Sequence, residues 1–496
     1  MSSKPEYAQD CRRGASYLRT LFKHFGAETD LFNTDDHRNP VVYARFKGKK
    51  SKSVCGKSIL FYGHYDVVAA ENREQTWNTN PFEMQGVNGY LYGRGVSDNK
   101  GPVLAALYAV ADIVAEEQLN TDIVFLIEGE EETGSRGFQQ AVRRKKHLIG
   151  DIDWILLANS YWLNDEIPCL TYGLRGVVRA TIEVASERPD LHSGVDGSKL
   201  MHEALKDLIA LLATLTGADG QVNIPSFYDN IPPMSKAEKE RYQVISNTLL
   251  RENPDLGDAR TLAESFKARW REPSLTIHSV KNSGPSKSSI ISRAAIADLS
   301  IRLVPNQTTA SVQSALRRAL ERAFQELDST NDLTIRFEHQ AEPWLGDPSN
   351  QIFRTLEEAI MEVWKLTGHA RQKSIPANKR TSKDLTNGLI SSKLPPATSS
   401  TLSKGGKFMP QNTAKASEDP QSPTEASSVQ KPLYIREGGS IPAIRFLEQE
   451  FNAPAAHLPC GQASDSAHLD NECLRLLNLY NSREIFKKVF QELPLR

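Results

Sequence analysis

A histidine and an aspartate lie two residues apart in the segment 61–66, which has the sequence FYGHYD. Because alternate residues of a β-strand point to the same face, the side chains of His64 and Asp66 can reach one site. An imidazole nitrogen can bind a metal ion, and a nearby carboxylate can fix the orientation of the ring. The spacing alone is a weak indication, since a single histidine is more often structural.

Two acidic segments farther along the chain could also bind cations. Asp98 lies in the glycine-rich segment 92–101 (YGRGVSDNKG), directly before a predicted helix, where it could bridge two cations or simply cap the helix. Residues 128–135 (EGEEETGS) follow an apolar strand. Crowded carboxylates repel one another unless water or cations neutralise them, and α/β proteins bind ligands at such strand ends. These segments predict a cation site, with a capped helix and a solvated acidic loop as the structural alternatives.

Four further residues complete the set of candidates. His192, in the loop DLHSG, and Arg302, in the strand SIRLVP, could each meet an anionic group of a substrate. Singly, each is more simply explained as a surface residue or an ordinary ion-pair partner, so their weight comes only from the combination. The remaining two are Ser440 in REGGS and His468 in SDSAH.

The elements that must position these residues can be predicted from hydrophobic periodicity. Apolar strands are predicted at 41–46, 57–62, 122–127, 153–158, 441–446 and 455–458. Helices are predicted at 15–25, with Gly26 ending the first, and at 101–119, 137–147, 350–367 and 473–492. Alternating helices and apolar strands indicate an α/β fold with a mixed sheet covered by helices on both faces.

The middle of the chain has a different pattern. Half-exposed strands at 177–184 and 294–304, with amphipathic helices at 199–212 and 311–324, predict a smaller inserted α+β domain. We therefore expect a discontinuous catalytic domain, residues 1–174 and 346–496, around an inserted lid or dimerisation domain at 175–345. Residues from about 372 to 430 contain few large apolar side chains, which predicts a disordered insertion; a partner-binding tether would have the same composition.

Composition excludes several classes of protein. A formal net charge of -1 provides no general attraction for nucleic acid. The five cysteines are scattered and never spaced as CxxC, which suits neither a disulfide framework nor a thiolate zinc site. No apolar run predicts a signal peptide or a membrane span, so the cytoplasm is the expected location.

Eight motifs occur in one order: GHYDV, LYGRGVSDNKGP, EGEEETGS, TYGLRG, DLHSGV, SIRLVP, REGGS and SAH. Together they resemble the M20 family of metallopeptidases, especially its carnosine and cysteinylglycine dipeptidase branch, and an ordered set is far more specific than any single motif. Within that branch, residues 437–472 are most similar to the peptidase-like subunit of the fungal glutathione-degrading glutamine amidotransferase complex. That type of subunit has a propeller-type domain ahead of its peptidase region, and no segment of these 496 residues resembles one.

The resemblance implies two divalent cations, with zinc the most suitable and manganese the alternative, because histidine and carboxylate ligands suit both. It implies that His64 binds one cation, that Asp98 bridges both, and that Glu132 and His468 bind the other. It also implies a cis peptide bond after Asp98. The remaining implied roles are Glu131 as general base, Asp66 as the residue that orients His64, and His192, Ser289, Arg302 and Ser440 as substrate contacts, with His192 reaching across a homodimer.

One residue departs from the family pattern. The third carboxylate ligand of the family comes just before a Tyr-Trp pair, and Asn159 occupies that position ahead of Tyr161 and Trp162. An amide oxygen can coordinate a cation but brings no charge. The site shared by His64 and Asp98 should therefore hold its cation more weakly and activate water less well.

Two functions follow from these observations. The first is metal-dependent hydrolysis of a small peptide by a dipeptidase-type enzyme, with cysteinylglycine or glutathione favoured by the resemblance. The alternative is a weakly active or non-catalytic subunit that supports a glutamine amidotransferase partner in glutathione degradation. Asn159 and the long insertion favour the alternative, whereas the retained Glu131, Asp98 and Glu132 favour the enzyme.

Overall fold

The computed structural model of the protein describes residues 5–34, 38–49, 56–70, 76–285, 289–366 and 431–495. The predicted disordered insertion at about 372–430 lies outside these residues. The strands, in chain order, are β1 (Glu28–Phe32), β2 (Val41–Phe46), β3 (Ser58–His64), β4 (Gln85–Val87), β5 (Tyr90–Tyr92), β6 (Asp122–Glu128), β7 (Trp154–Leu157), β8 (Cys169–Leu174), β9 (Gly176–Ala185), β10 (Leu191–His192), β11 (Ser274–Asn282), β12 (Ile290–Ile291), β13 (Ala294–Leu303), β14 (Asp332–Ala341), β15 (Trp344–Leu345), β16 (Leu433–Glu437), β17 (Ala455–His457) and β18 (Cys473–Arg475). The helices are α1 (Ala8–His24), α2 (Gly101–Ala115), α3 (Phe138–Arg144), α4 (Lys146–Ile149), α5 (Ala204–Thr214), α6 (Lys236–Glu252), α7 (Ala259–Trp270), α8 (Thr309–Glu326), α9 (Gln351–Leu366), α10 (Pro442–Phe451) and α11 (Leu476–Glu492).

The largest sheet of the described residues has nine strands in the order β1-β2-β6-β3-β7-β17-β8-β15, with β16 paired to β8. Strands β6, β3, β7 and β17 run parallel to one another, whereas β1 and β2 are antiparallel to their neighbours. Every residue of β3 and of β7 is buried, so both faces of the sheet are covered there. The predicted mixed α/β fold is confirmed, and the carboxyl ends of four parallel strands meet at one edge.

A second sheet has four antiparallel strands in the order β11-β13-β9-β14. One of its faces packs against α5 and α8 through a separate hydrophobic core that includes Val178, Ala180, Leu299 and Ile301. This sheet accounts for the half-exposed strands predicted near 177–184 and 294–304. The described residues outside 371–431 form one compact unit, so the boundaries at 174/175 and 345/346 stay a prediction.

Most predicted elements are observed, with small shifts at their ends, but one is wrong. The predicted strand at 441–446 is the start of α10. Pro442 occupies the first turn of this helix, a position that proline favours, and the buried Ile444 and Leu447 are three residues apart on one helical face. The predicted helix at 137–147 is divided into α3 and α4, and the first three residues of the predicted helix at 473–492 form β18 instead.

Four of the five cysteines fall within the described residues, and all four are buried free thiols: Cys11, Cys169, Cys460 and Cys473. None of the described helices combines the length and the apolar character that a bilayer span requires.

Candidate active site

Three neighbouring parallel strands deliver candidate residues to one edge of the large sheet. β3 ends at His64, β6 ends three residues before Glu131, and β7 ends two residues before Asn159. Parallel strands bring their carboxyl ends to the same edge, and α/β proteins place ligands there. The topology thus explains why residues up to 95 positions apart in the chain lie close together.

Asp98 lies between two histidines. It belongs to a turn of π-helix at Val96–Lys100, directly before α2, and the implied cis peptide bond is present between Asp98 and Asn99. One carboxylate oxygen, Oδ1, is 3.0 Å from Nε2 of His64, and the other, Oδ2, is 2.9 Å from Nε2 of His468. Burial would raise the pKa of Asp98, but the hydrogen bonds from His468 and His64 lower it below its ordinary value. The two oxygens of one carboxylate therefore address two separate positions.

His468 faces two carboxylates with a single nitrogen. Its Nε2 is 3.1 Å from Oε2 of Glu132 as well as 2.9 Å from Asp98. These two acids raise the pKa of His468 to about 10, which favours an imidazole that carries a second proton. A divalent cation could replace that proton, because imidazole and carboxylate are the ligands that zinc and manganese accept.

The donor set fits cations in a second respect. The described residues form two groups whose potential ligand atoms lie within 4.8 Å of one another: His64, Glu131 and Glu132, and Asp98, Glu132 and His468. Oε1 of Glu132 is buried and has no hydrogen-bond partner. A buried carboxylate oxygen without a donor is costly, and a cation would satisfy it.

Asp66 does more than the predicted orientation of His64. Its carboxylate lies 3.4 Å from Nδ1 of His64, whose hydrogen bond goes to the backbone oxygen of Asp66 at 3.1 Å. The two carboxylate oxygens also accept hydrogen bonds from the backbone N–H groups of Glu131 and Glu132, at 3.2 and 3.1 Å. Asp66 therefore couples the ring of His64 to the acidic loop.

Glu131 lies in an environment that favours its protonated form. Burial raises the pKa of Glu131, and the nearby carboxylates of Glu132 and Asp98 raise it further, although His64 opposes them. A carboxyl group that both accepts and returns a proton works best with a pKa near the working pH. The surroundings of Glu131 suit the predicted role of general base.

Asn159 lies beside His64 but is not oriented as a ligand. Its Oδ1 accepts a hydrogen bond from the backbone N–H of Ser160 at 2.6 Å, and its Nδ2 is 3.5 Å from Nε2 of His64. An amide NH₂ group has no lone pair for a cation. The role of Asn159 as a ligand stays a prediction, and in this orientation the amide must rotate before its oxygen could coordinate.

Sequence reasoning missed Glu472, which holds the loop that presents Asp98. Its two carboxylate oxygens accept hydrogen bonds from four donors: Nη1 of Arg94 at 2.8 Å and the backbone N–H groups of Gly95, Ser97 and Asp98 at 2.9, 3.0 and 3.1 Å. The side chains of Arg94 and Glu472 are 2% and 1% exposed. The only sequence signal was an acid four residues after His468, which has no meaning until the loop at 94–98 is known to lie beside it.

The predicted substrate contacts fall into separate places. His192 and Ser289 are neighbours, since β10 pairs with β12 and the backbone oxygen of Ser289 accepts from Ser193 at 2.8 Å. Both are exposed. Nothing in the described residues joins them to the cation cluster, so the role of His192 across a dimer stays a prediction.

Arg302 and Ser440 are nearer the catalytic side of the molecule. Arg302 lies in β13, and its positive charge helps to lower the pKa of His339, whose ring rests against the acidic loop at Gly134. Ser440 follows β16 in the loop before α10, and the same loop accepts a hydrogen bond from Arg175 at Gly438. Their contacts with a substrate stay predictions.

A model of peptidase family M20/M25/M40 matches residues 60–385. The probable di- and tripeptidase DUG2 of Saccharomyces cerevisiae is 38% identical over 488 residues, which are 97% of this chain and 47% of that protein. The Beta-Ala-His dipeptidase of Rattus norvegicus is 34% identical over 73% of this chain and 75% of its own length. The Cys-Gly metallodipeptidase DUG1 of Candida albicans is 28% identical over 89% of this chain and 79% of its own length.

Solved structures share the fold. Human carnosine dipeptidase 1 superposes with a TM-score of 0.71 and 25% identity, covering 99% of this chain and 93% of that one. The di-peptidase Dug1p of Saccharomyces cerevisiae superposes with a TM-score of 0.73 and 24% identity, covering 100% and 93%. The chain thus spans the length of these structures but about half the length of DUG2.

Proposed function

Because this chain belongs to peptidase family M20/M25/M40, we propose that it hydrolyses the peptide bond of a small peptide at a two-cation centre. The observation that carries the proposal is the position of Asp98, whose two oxygens face the imidazoles of His64 and His468 at 3.0 and 2.9 Å. A single carboxylate placed in this way is suited to bridge two cations. Glu132 joins His468 at one of them, and Asn159 adjoins His64 at the other.

The residues of the chain have separate tasks in this reaction. Two divalent cations, when bound, would polarise the scissile carbonyl and make a water molecule more acidic. The Glu131 carboxylate takes a proton from the attacking water and delivers it to the amine nitrogen as the C–N bond breaks. Asp66 contacts both the backbone N–H of Glu131 and the ring of His64, and so fixes their positions relative to each other. Arg302 attracts a carboxylate of the peptide.

The finer features of the proposal rest on the relatives. Their names describe hydrolysis of di- and tripeptides, of β-Ala-His and of Cys-Gly, which supports a small peptide such as cysteinylglycine or glutathione as substrate. Zinc is the proposed metal, with manganese as the alternative, and the site at Asn159 is proposed to be the weaker. A homodimer, a glutamine amidotransferase partner and a cytoplasmic location are further proposals.

The alternative, a non-catalytic subunit, requires the centre to be incomplete. Its support is Asn159, whose amide nitrogen rather than its oxygen faces His64. The enzyme is the better supported candidate because Glu131, Asp98, Glu132 and both histidines lie in two overlapping groups of potential metal ligands.

The test combines metal content with turnover. Purified protein should hydrolyse cysteinylglycine or glutathione when zinc or manganese is supplied. Metal analysis should find a constant number of cations bound per protein chain. Glu131→Ala should lose at least about 100-fold in kcat while retaining its metals, because the base is removed and the ligands stay. Glu117→Ala, at an exposed ion pair with Lys49, is the matched control and should keep full activity. Full turnover by Glu131→Ala would reject the proposed base.

A further inference from the structure

One face of the four-stranded sheet presents arginines. Residues of a strand alternate between faces, and Val178, Ala180, Leu299 and Ile301 point into the core formed with α5 and α8. Arg179 and Arg302, which alternate with these core residues, therefore lie on the opposite face. Their strands pair with Arg179 opposite Ser300 and Arg302 opposite Val177, so the two arginines are diagonal neighbours. We refer to this side of the sheet as the arginine face.

The arginine face adjoins the acidic loop of the cation centre. His339, in an irregular part of β14, rests on Gly134: a methyl group added to Gly134 would lie 2.2 Å from Nδ1 of the ring. Gly134 comes only two residues after Glu132. The same loop continues to Arg136, which is exposed and comes two residues after Gly134.

Positive charge is concentrated where the arginine face adjoins the acidic loop. Burial lowers the pKa of His339, and the charges of Arg179, Arg136 and Arg302 lower it further, so all three guanidinium groups act on one ring. Burial and the charge of Arg179 also lower the pKa of Arg302. Such mutual repulsion is unfavourable unless an anion offsets it.

The far end of the same face is neutralised. Arg336 lies 2.8 Å from Glu183, and Lys281 lies 3.7 Å from Asp298. The end beside the acidic loop differs. Among the described residues, no carboxylate lies within ion-pair distance of its three arginines, Arg136, Arg179 and Arg302. The positively charged side chains at the far end of the face are thus paired with carboxylates, whereas the three arginines near the acidic loop are not.

The acids of the cation centre do not supply the missing charge. Asp66, Asp98, Glu131 and Glu132 provide four negative charges at most, and two divalent cations would bring four positive charges. A loaded centre is therefore close to neutral. The arginines remain in excess and must be offset by solvent ions or by a ligand in the cavity.

We propose that Arg136 and Arg179 form a second anion subsite beside Arg302, so that the preferred substrate is a small peptide with two carboxylates. One is the carboxylate assigned to Arg302, and the other belongs to an acidic residue of the peptide. Guanidinium groups recognise carboxylates through paired hydrogen bonds that an amide cannot match. This inference rests on the proposed peptidase function and specifies its substrate class.

The test uses peptides that differ only by a carboxylate or an amide. With zinc or manganese supplied, kcat/KM is measured for Glu-Ala against Gln-Ala and for Ala-Glu against Ala-Gln. We expect the wild-type chain to prefer one acidic peptide over its amide by about tenfold, the effect of a charge-assisted contact. Arg179→Gln and Arg136→Gln should each reduce this preference about threefold, and the double variant should abolish it.

Two further variants separate recognition from folding. Arg179→Lys keeps the positive charge but loses the paired donors of the guanidinium, so it should keep more of the preference than Arg179→Gln and less than the wild type. Arg336→Gln removes a paired arginine from the far end of the same face and should leave the preference intact. Equal cleavage of acid and amide by the wild-type chain, or an equal loss in Arg336→Gln, would overturn the subsite.

Failure of the proposed function gives a different result. If none of the four peptides is cleaved, the peptidase proposal fails, and the subsite is then tested by calorimetric titration of Glu-Ala, Gln-Ala, Ala-Glu and Ala-Gln into the metal-loaded chain. Tighter binding of an acidic peptide than of its amide, lost in the double variant, supports the subsite without turnover. Equal binding within both pairs rejects it.

Discussion

The two halves of the candidate cation centre share Asp98 but differ in the charge of their other residues. In the Glu132 half, Nε2 of His468 lies 2.9 Å from Asp98 and 3.1 Å from Glu132, so two carboxylates meet one imidazole. In the Asn159 half, Nε2 of His64 lies 3.0 Å from Asp98, and the third residue presents an amide NH₂ group at 3.5 Å. If Glu131 is set aside as the proposed base, the first half offers two carboxylate ligands and the second offers one.

This difference distinguishes where the fold places a ligand residue from how strongly that residue can bind a cation. Asn159 follows β7 at the same sheet edge at which Glu132 follows β6, so the backbone places both residues beside the cavity. Only the chemistry of the side chain differs. We infer that the fold fixes where cations can bind, whereas residue type fixes how tightly each is held.

The largest effect should come from removing the shared charge. Asp98→Asn takes one carboxylate from both halves, and we expect zinc affinity to fall roughly 100-fold or more at each, with turnover lost. Calorimetric titration with zinc measures both sites. Asp112→Asn, which breaks an ion pair with Arg483 away from the centre, is the control and should bind zinc normally. Wild-type affinity in Asp98→Asn would contradict the bridging position.

A smaller but still symmetric effect is expected from Glu472→Gln. This change leaves Arg94 buried without a counter-charge and loosens the backbone at Asp98, so zinc affinity should fall about tenfold in both halves. The free energy of unfolding should drop by roughly 3 kcal/mol. Thermal unfolding and zinc titration measure the two effects.

The double variant Arg94→Met with Glu472→Gln distinguishes stability from positioning. Removing both charges should restore much of the stability, while zinc affinity stays low because the glutamine amide offers only one uncharged acceptor oxygen where the carboxylate offered two to the backbone N–H groups of Gly95, Ser97 and Asp98. If zinc affinity recovers together with stability, Glu472 has no separate positioning role.

Asn159→Asp should make the two halves more alike. Restoring the charge should tighten the cation at the Asn159 half about tenfold, leave the Glu132 half unchanged and raise turnover. Metal analysis after dialysis, together with peptide hydrolysis, gives both readouts. Two cations per wild-type chain, held with equal affinity in wild type and variant, would reject the idea of a weakened site.

Residue pattern was enough to predict the edge of the sheet and most of the cluster. Apolar runs predicted β2, β3, β6 and β7, and the parallel order of β6, β3 and β7 then brings the polar carboxyl ends of these three strands together. The family motifs added His468 and Asn159, which local pattern cannot connect to His64. The pattern failed at α10, because a six-residue apolar run fits either a strand or a short helix.

The supporting residues were beyond prediction for a physical reason. Glu472, His339 and Arg179 gain their meaning from neighbours that are distant in the chain: the loop at 94–98, the backbone at Gly134 and the strand partner of Arg302. The spacing of apolar residues along a helix or strand indicates which of its faces is buried. It does not report which polar residue of another element lies opposite, and that pairing decides the charge of the cavity.

The smallest effect should come from Ser160→Ala. The Ser160 hydroxyl donates to Oε2 of Glu437 at 2.7 Å, whereas its backbone N–H holds the Asn159 oxygen, and alanine removes only the first contact. We expect a loss of about 1 kcal/mol in unfolding free energy and less than a twofold change in zinc affinity at the Asn159 half. Thr171→Val is the matched control, because Thr171 donates to the other oxygen of Glu437 at 2.6 Å. If Ser160→Ala changes zinc affinity and Thr171→Val does not, the Ser160 hydroxyl rather than its backbone N–H orients Asn159. The difference between the two halves would then depend on one side-chain hydrogen bond.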